Sequence, residues 1–289
     1  MKYSILSINK GSCNQGNRLI EFALKALLGL PDPAVELSMF VIPNEDEIYK
    51  INKTDFLLLP GSTILAGDSG QSLAMACLQK VKIPILAVGC SGWEPYYSYQ
   101  PEYLKYIQEP IGVRDPHALG YCEKHGKKAW LVGCPTLFLP PLHFSTKGFS
   151  IVGFSRYDHQ WQYDLLKRIP GNIVCSVQEP SAECHLARSL SLNSFDYSNP
   201  VAVMNHYAEC KAVYTGRIHG ALPAISQGKK VCFFGKPEDS RYSLLTYLGI
   251  KIIPIGISNP DLELQEANKF KIEGLQKNFY DWAKEFRFT

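Results

Sequence analysis

The 289-residue sequence lacks the local signatures of several common active sites. No Gly-x-Gly-x-x-Gly turn, Gly-x-x-x-x-Gly-Lys-[Ser/Thr] run, His-Glu-x-x-His pair or Asp-x-Asp pair occurs in it. These patterns build dinucleotide sites, phosphate loops, zinc sites and metal-carboxylate sites, respectively. The seven histidines are dispersed, without the helical spacing of a metal-ligand pair. We therefore expect neither a metal nor a cofactor.

An excess of charge of one sign is also missing. The 30 Lys and Arg residues nearly balance the 27 Asp and Glu residues, which leaves a formal net charge of +3. A balance of this kind gives no global field that would attract DNA or an anionic membrane. Any anion must then be held by a local site, and we expect no nucleic-acid partner.

Long apolar runs and paired cysteines are absent as well. The apolar segment 3–8 is too short for a signal-peptide core or a membrane span, so we predict that it forms the first β-strand. The nine cysteines include no Cys-x-x-Cys pair and lie mostly in apolar runs, which favours free thiols in a reducing compartment. The sequence predicts a cytoplasmic protein, either free or peripheral to the inner face of the membrane.

Short apolar segments alternate with stretches of helical periodicity along most of the chain. This alternation is typical of βαβ units around parallel sheets, so we predict an α/β fold. Predicted strands lie at 3–8, 35–41, 56–59, 85–88, 111–113, 129–132, 149–154, 173–177, 212–215, 230–234 and 251–254. Predicted helices lie at 18–28, 69–80, 161–168, 200–209 and 221–227.

The alternation stops once, in the proline-containing segment 140–148, and then restarts. Because the chain is too long for one ordinary core, we predict an amino-terminal domain over 1–142 and a carboxyl-terminal domain over 149–268. Residues 269–289 form a predicted amphipathic helix, whose aromatic side chains, among them Phe279 and Trp282, must be buried on a domain.

The most informative stretch is Thr215-Gly216-Arg217-Ile218-His219-Gly220, at the turn between a predicted strand and a predicted helix. The unpaired N–H groups at the start of a helix favour an anion. Arg217 could hold a carboxylate or phosphate with its planar fork, and His219 could transfer a proton near neutral pH. The alternative interpretation is structural: an arginine that caps the turn and a histidine that satisfies a buried carbonyl.

A second turn, Val113-Arg114-Asp115-Pro116, follows another predicted strand. Asp115 stands where a helix N-cap would, with Pro116 at the first helical position. Arg114 at the end of a strand needs an acidic partner or a ligand, and Asp115 itself could be that partner.

These motifs resemble the polysaccharide pyruvyl transferase family. The resemblance includes the run 215–220 and Val113-Arg114-Asp115, and also Gly16-Asn17-Arg18, Val132-Gly133-Cys134-Pro135-Thr136 and Gly228-Lys229-Lys230-Val231. It implies two Rossmann-like domains facing a cleft, the GT-B-like arrangement, with the amino-terminal domain on the acceptor side. It also implies transfer of pyruvate from phosphoenolpyruvate to a sugar of a glycan, or of its lipid-linked or nucleotide-linked precursor, as a ketal.

The resemblance assigns catalytic roles to Arg217 and His219, which match the family's Arg-x-His motif, and donor binding to Arg114. Where the family commonly has a lysine, Arg241 is the nearest equivalent. Polar residues and one glycine at other predicted turns are further candidates for substrate binding: Asn17, Arg18, Ser62, Ser91, Ser155, Arg156 and Gly220, followed by Thr63, Gln178 and Glu179. A cluster of Trp93, Tyr96, Tyr97 and Tyr99 could stack on a sugar or pack within a loop.

Two other functions fit the same features. A glycosyltransferase would keep the fold and use a nucleotide sugar, so it would release a nucleotide where a pyruvyl transferase releases phosphate. A non-catalytic member would bind a glycan or anion without turnover.

Overall fold

The computed structural model describes residues 1–12, 14–61, 65, 73–92, 101–154, 159–179, 187–188, 190 and 192–288. In these residues, strands and helices alternate in two series and the paired strands are parallel, as the sequence predicts. The α/β class is therefore confirmed.

The first series forms a parallel sheet in the order β2-β1-β3-β4. A parallel bridge between Cys90 and Val113 continues it to the pair β5-β6. The strands are β1 (Tyr3–Ser7), β2 (Val35–Ser38), β3 (Phe56–Leu59), β4 (Ile85–Ala87), β5 (Ile111–Val113) and β6 (Ala129–Leu131). The helices are α1 (Asn17–Leu28), α2 (Glu45–Ile51), α3 (Pro101–Leu104) and α4 (Pro116–Lys124), with 3-10 helices at Leu73–Lys80 and Pro135–Phe138.

The second series forms a six-stranded parallel sheet in the order β12-β11-β10-β7-β8-β9. Its strands are β7 (Phe149–Gly153), β8 (Asn172–Val177), β9 (Asn193–Asp196), β10 (Ala212–Thr215), β11 (Lys230–Gly235) and β12 (Ile252–Pro254). Its helices are α5 (His159–Leu166), α6 (Pro200–Glu209), α7 (Ile218–Ser226) and α8 (Ser243–Tyr247), with a 3-10 helix at Ser240–Tyr242. Strand β9 was not predicted because its sequence, Asn-Ser-Phe-Asp, is polar and lies at the sheet edge.

Among the described strands, none of the first sheet pairs with one of the second, and the segment 139–148 between them contains no helix or strand. Gln227, which follows α7, holds this segment: its side chain donates to the Pro140 carbonyl at 3.2 Å and accepts from the Leu142 N–H at 2.8 Å. One apolar core includes side chains from both series, among them Leu137 and Leu222. The domain limits at 142 and 149 stay a prediction.

The predicted carboxyl-terminal helix is confirmed as α9 (Lys269–Glu285), and it returns to the first sheet. Phe279 and Trp282 are fully buried. The Trp282 indole N–H donates to the Pro110 carbonyl at 3.0 Å, just before β5, and Asn278 donates to the Leu131 carbonyl at 3.0 Å, at the end of β6. The helix therefore closes the β5-β6 end of the sheet through its aromatic face.

Glycine is required at the turn after β4. Gly89 has a φ of 68°, and a Cβ at this position would lie 2.9 Å from Cδ of Pro135. The backbone conformation and this close approach both exclude larger residues. The turn at the end of β4 therefore depends on this glycine.

All seven cysteines that the structure describes are buried, and none of them is in a disulfide there: Cys77, Cys90, Cys122, Cys134, Cys175, Cys210 and Cys232. That all nine are thiols stays a prediction. Cys13 and Cys184 lie outside the described residues. In the part of the chain that the structure describes, every helix is too short or too polar to cross a membrane.

Candidate functional site

The candidate site lies at the carboxyl ends of the parallel strands, where open α/β sheets bind ligands. Arg114 follows β5 in the first sheet, and Arg217 and His219 follow β10 in the second. The two arginines lie near enough to His219 to act on its charge. Arg114 also donates from Nη2 to the backbone carbonyl of Arg241 at 3.5 Å, after β11. The structure thus brings together the four charged or titratable residues that the motifs single out.

Arg217 is the N-cap residue of α7, and its side chain is fixed by the ends of two neighbouring strands. Nε donates to the Phe154 carbonyl at 2.8 Å, and Nη1 donates to Glu179 Oε1 at 3.0 Å. The exposed fractions of the Arg217 and Glu179 side chains are only 13% and 7%. Part of the guanidinium therefore has a structural role, as in the alternative interpretation of the motif. Glu179 holds the Arg217 side chain, a role that the sequence did not indicate.

His219 is 7% exposed, and its Nε2 atom is buried without a hydrogen-bond partner among the described residues. The structural interpretation, in which this side chain satisfies a buried carbonyl, does not account for Nε2. A buried polar atom without a partner costs free energy, so it requires an explanation. A ligand that hydrogen-bonds to Nε2 would provide one.

The charge state of His219 corrects the expectation of a proton donor that titrates near neutral pH. Burial, and then the positive charges of Arg114 and Arg217, lower the pKa of His219 to about 3. Each of these causes disfavours the charged imidazolium. At pH 7 the imidazole is therefore neutral in the free protein, and it can accept a proton but has no spare one to donate as an acid.

Asp115 has both of the roles that the sequence suggested. Its Oδ1 accepts from the Ala118 N–H at 3.0 Å, which confirms the N-cap of α4, and its Oδ2 accepts from Arg114 Nε at 3.2 Å. Ser91 was predicted to bind substrate, but its buried hydroxyl instead donates to Asp115 Oδ2 at 2.5 Å and contacts the Gly92 carbonyl. Ser91 therefore supports the Arg114–Asp115 pair.

Arg241 also pairs with a nearby carboxylate. Its Nε lies 2.9 Å from Asp239 Oδ1, and its Nη2 lies 2.5 Å from Asp239 Oδ2. The Asp239 carboxylate also accepts from the Arg241 N–H at 3.0 Å, at the start of the 3-10 helix. The Arg241 side chain is therefore held in a two-point ion pair.

A buried chain of hydroxyl groups supports the backbone of His219. The Tyr197 hydroxyl donates to the His219 carbonyl at 3.2 Å, lies 2.5 Å from the Tyr207 hydroxyl and accepts from Gln178 Nε2 at 3.1 Å. Burial raises the pKa of Tyr207 well above its ordinary value, so its hydroxyl stays protonated. Sequence reasoning missed this chain because Tyr197 follows β9, the strand whose polar sequence gave no signal.

The start of α1 contacts the second sheet, next to this chain. Gln15 donates its N–H to the Gln178 carbonyl at 2.7 Å, and Arg18 Nη1 donates to the Ser198 carbonyl at 3.2 Å. Asn17 was predicted to bind substrate, but its amide is buried and donates to the Ile8 carbonyl at 3.1 Å. Asn17 therefore holds the loop after β1, and the exposed Arg18 joins the two series.

Gly220 was predicted to contact substrate, but the structure gives a packing reason for this glycine. Its N–H already donates to the Arg217 carbonyl at 2.9 Å, and a Cβ would lie 2.6 Å from Thr215 Oγ1. Glycine therefore allows α7 to pack closely against the end of β10.

Several predicted residues lie outside the described part of the chain: Ser62, Thr63, Trp93, Tyr96, Tyr97, Tyr99, Ser155 and Arg156. Among the residues that are described, no group of three or more His, Cys, Asp or Glu side chains is placed to hold a metal ion.

The sequence of this site can be compared with known families. Residues 14–235 match the family model of the polysaccharide pyruvyl transferases. The chain belongs to the polysaccharide pyruvyl transferase family. The matched region contains Arg114, Arg217 and His219, while Arg241 and α9 lie beyond it. Membership makes the protein a glycan-modifying enzyme of the transferase class.

Comparison with solved structures supports the predicted GT-B-like fold. Staphylococcus aureus MnaA, solved with UDP, aligns with a TM-score of 0.54 and 12% identity, covering 99% of this chain and 88% of MnaA. The UDP-GlcNAc 2-epimerase of Methanocaldococcus jannaschii, in complex with UDP-GlcNAc and UDP, aligns with a TM-score of 0.54 and 10% identity, covering 99% of each chain. The Neisseria meningitidis UDP-GlcNAc 2-epimerase, bound to UDP-GlcNAc, aligns with a TM-score of 0.53 and 12% identity, covering 100% of this chain and 93% of the enzyme.

At such identities the likeness shows a shared fold and nothing about substrates. A search of curated protein sequences found no match.

Proposed function

We propose that the protein transfers pyruvate from phosphoenolpyruvate to a sugar of a surface glycan or its lipid-linked or nucleotide-linked precursor, where it forms a ketal. The observation that carries the proposal is the buried Nε2 of His219, which has no hydrogen-bond partner among the described residues, lies near Arg114 and Arg217, and belongs to the region that matches the family. The donor carries a carboxylate and a phosphate a few bonds apart, which suits arginines from two different strand ends. The first N–H groups of α7 add a favourable dipole for an anion.

The reaction needs one proton on the donor and two acceptor hydroxyls. His219 must first become the imidazolium, because it is neutral in the free protein at pH 7. The imidazolium then protonates the methylene carbon to make a methyl group, and one sugar hydroxyl attacks the adjacent carbon. Phosphate then leaves, and the second hydroxyl attacks the same carbon to close the ketal. Of the two hydroxyl protons, one returns to His219 and the other leaves with phosphate, so the histidine ends each cycle as it began. This scheme uses no metal or cofactor. That the protein needs neither stays a prediction, and its cytoplasmic location also stays a prediction.

The test is a panel of glycan precursors incubated with phosphoenolpyruvate and the purified protein. We expect phosphate release that depends on one acceptor, and an acceptor that gains the mass of pyruvate less one water. Each acceptor is also incubated with a panel of sugar nucleotides. Nucleotide release with a glycosylated product would contradict pyruvyl transfer and support a glycosyltransferase. Binding of phosphoenolpyruvate with no turnover on any acceptor would support the non-catalytic alternative.

Replacing Arg217 by lysine tests its part in donor binding. Arg217→Lys keeps the positive charge but loses the planar fork and the two hydrogen bonds to Phe154 and Glu179. We expect the Kd for phosphoenolpyruvate, measured by calorimetry, to rise about 10–100-fold, the scale of one or two hydrogen bonds to a charged group.

Arg168→Lys, at an exposed position after α5, is the matched control and should bind the donor like the unmodified protein. A correctly folded Arg217→Lys variant with unchanged donor affinity would contradict the role of Arg217.

A further inference from the structure

The charges of the described site are balanced before any ligand arrives. Each of the three arginines has its own carboxylate: Arg114 with Asp115 at 3.2 Å, Arg217 with Glu179 at 3.0 Å, and Arg241 with Asp239 at 2.5 Å. The described site therefore offers directed donors to an anion, but little net positive charge.

The neutral His219 is the group that can change this balance. Its Nε2 is buried and has no hydrogen-bond partner among the described residues, and burial, followed by the charges of Arg114 and Arg217, disfavours a proton on it. Phosphoenolpyruvate would bring about three negative charges at pH 8, since the second ionisation of a phosphate ester has a pKa near 6. An anion beside the imidazole favours the imidazolium, so donor binding offsets the effects of burial and of the two arginines on the pKa of His219.

We propose that binding of the donor is coupled to the uptake of one proton from solvent by His219 Nε2. This inference rests on the proposed function, and it supplies the acid that the first chemical step needs. A buffer acid gives up the proton, and Nε2 binds it through its lone pair. The imidazolium then passes the proton to the methylene carbon, and an acceptor hydroxyl restores it. The free protein thus avoids a buried charge that it could not stabilise, and the donor creates the catalytic acid as it binds.

Other titratable groups around His219 do not explain such uptake as readily. The three carboxylates, on Asp115, Glu179 and Asp239, already accept hydrogen bonds from arginines. Tyr197 and Tyr207 lie on the side of the His219 backbone, and Tyr207 keeps its proton. Burial also raises the pKa of the Cys134 thiol, near Arg114, so this group holds its proton in the free protein.

The experiment is titration calorimetry with phosphoenolpyruvate at pH 8 in several buffers that differ in ionisation enthalpy. The slope of the observed binding enthalpy against the buffer enthalpy gives the number of protons taken up. We expect about one proton per donor in the unmodified protein, and an affinity that falls as the pH rises. His219→Gln should bind the donor with a slope near zero. His125→Gln, at the exposed C-cap of α4, should keep the full slope.

Three results would overturn the inference in different ways. Donor binding with no buffer dependence in the unmodified protein would refute proton uptake and leave the proposed function intact. No donor binding at all would refute both. Uptake that persists in His219→Gln would show that another group, or the donor itself, takes the proton.

Should His219→Gln fold poorly, imidazole nitrogen NMR of the unmodified protein decides the same question. We expect one histidine to change from the neutral to the imidazolium signature when phosphoenolpyruvate is added. No such change would overturn the proposal.

Discussion

His219→Gln is expected to lower kcat by roughly 10²–10⁴-fold, the usual contribution of a positioned general acid–base group. Glutamine has a similar size and can hydrogen-bond, but it cannot carry the proton that the methylene carbon must receive. The backbone contact between the His219 carbonyl and Tyr197 does not depend on the side chain, so the turn should keep its conformation. The loss should therefore appear in kcat, with the Kd for phosphoenolpyruvate changed by much less, as steady-state kinetics and calorimetry would show.

The matched control is His125→Gln, the same substitution at the exposed C-cap of α4, which should retain the kcat of the unmodified enzyme. The assignment would be wrong if a folded His219→Gln variant turned over the donor and acceptor at the normal rate. A variant that raised KM but kept kcat would instead give His219 a binding role.

The largest effect on stability is expected for Trp282→Ala in α9. The indole is fully buried against the β5-β6 end of the first sheet, stacks on Phe288 at 5.7 Å and donates to the Pro110 carbonyl at 3.0 Å. Truncation removes the buried ring and leaves a buried carbonyl without its donor. We expect the free energy of unfolding, measured with urea, to fall by about 3–5 kcal/mol.

Phe270→Ala is the matched control in the same helix, because this aromatic side chain is 85% exposed. Its effect should stay within about 0.5 kcal/mol, as for most surface substitutions. If both variants unfolded at the same urea concentration as the unmodified protein, α9 would contribute little to stability, and its packing on the first sheet would not hold in solution.

The local features of this fold could be read from the sequence. The strand limits of β3, β5 and β10, the N-cap at Asp115 and the glycine turn at Gly89 all follow from properties of a few neighbouring residues. These features depend on hydrophobic periodicity, helix capping and backbone conformational freedom. Each of these properties is set by residues that are close in sequence, so a sequence pattern can predict them. The same applies to α9, whose buried side chains repeat with the helical period.

The long-range contacts of the site could not be predicted from the sequence. The motif singled out Arg217 and His219, but it could not predict that Phe154 and Glu179, 63 and 38 residues away, hold the guanidinium. It also could not show that the side chains of Ser91 and Asn17, both at predicted turns, are buried and donate to Asp115 and to the Ile8 carbonyl. Each of these contacts depends on which strand ends lie side by side in the folded sheets.

The charge of His219 depends most strongly on the tertiary structure. The sequence determined that a histidine stands at the start of a helix two residues after an arginine, which fixes the kind of chemistry available. Folding decided that this histidine is buried and that Arg114, more than a hundred residues earlier and in the other sheet series, lies close to it. Desolvation and the electric field of an arginine that is distant in sequence both act through space, so no local sequence pattern predicts them. Together they keep the imidazole neutral until an anion binds.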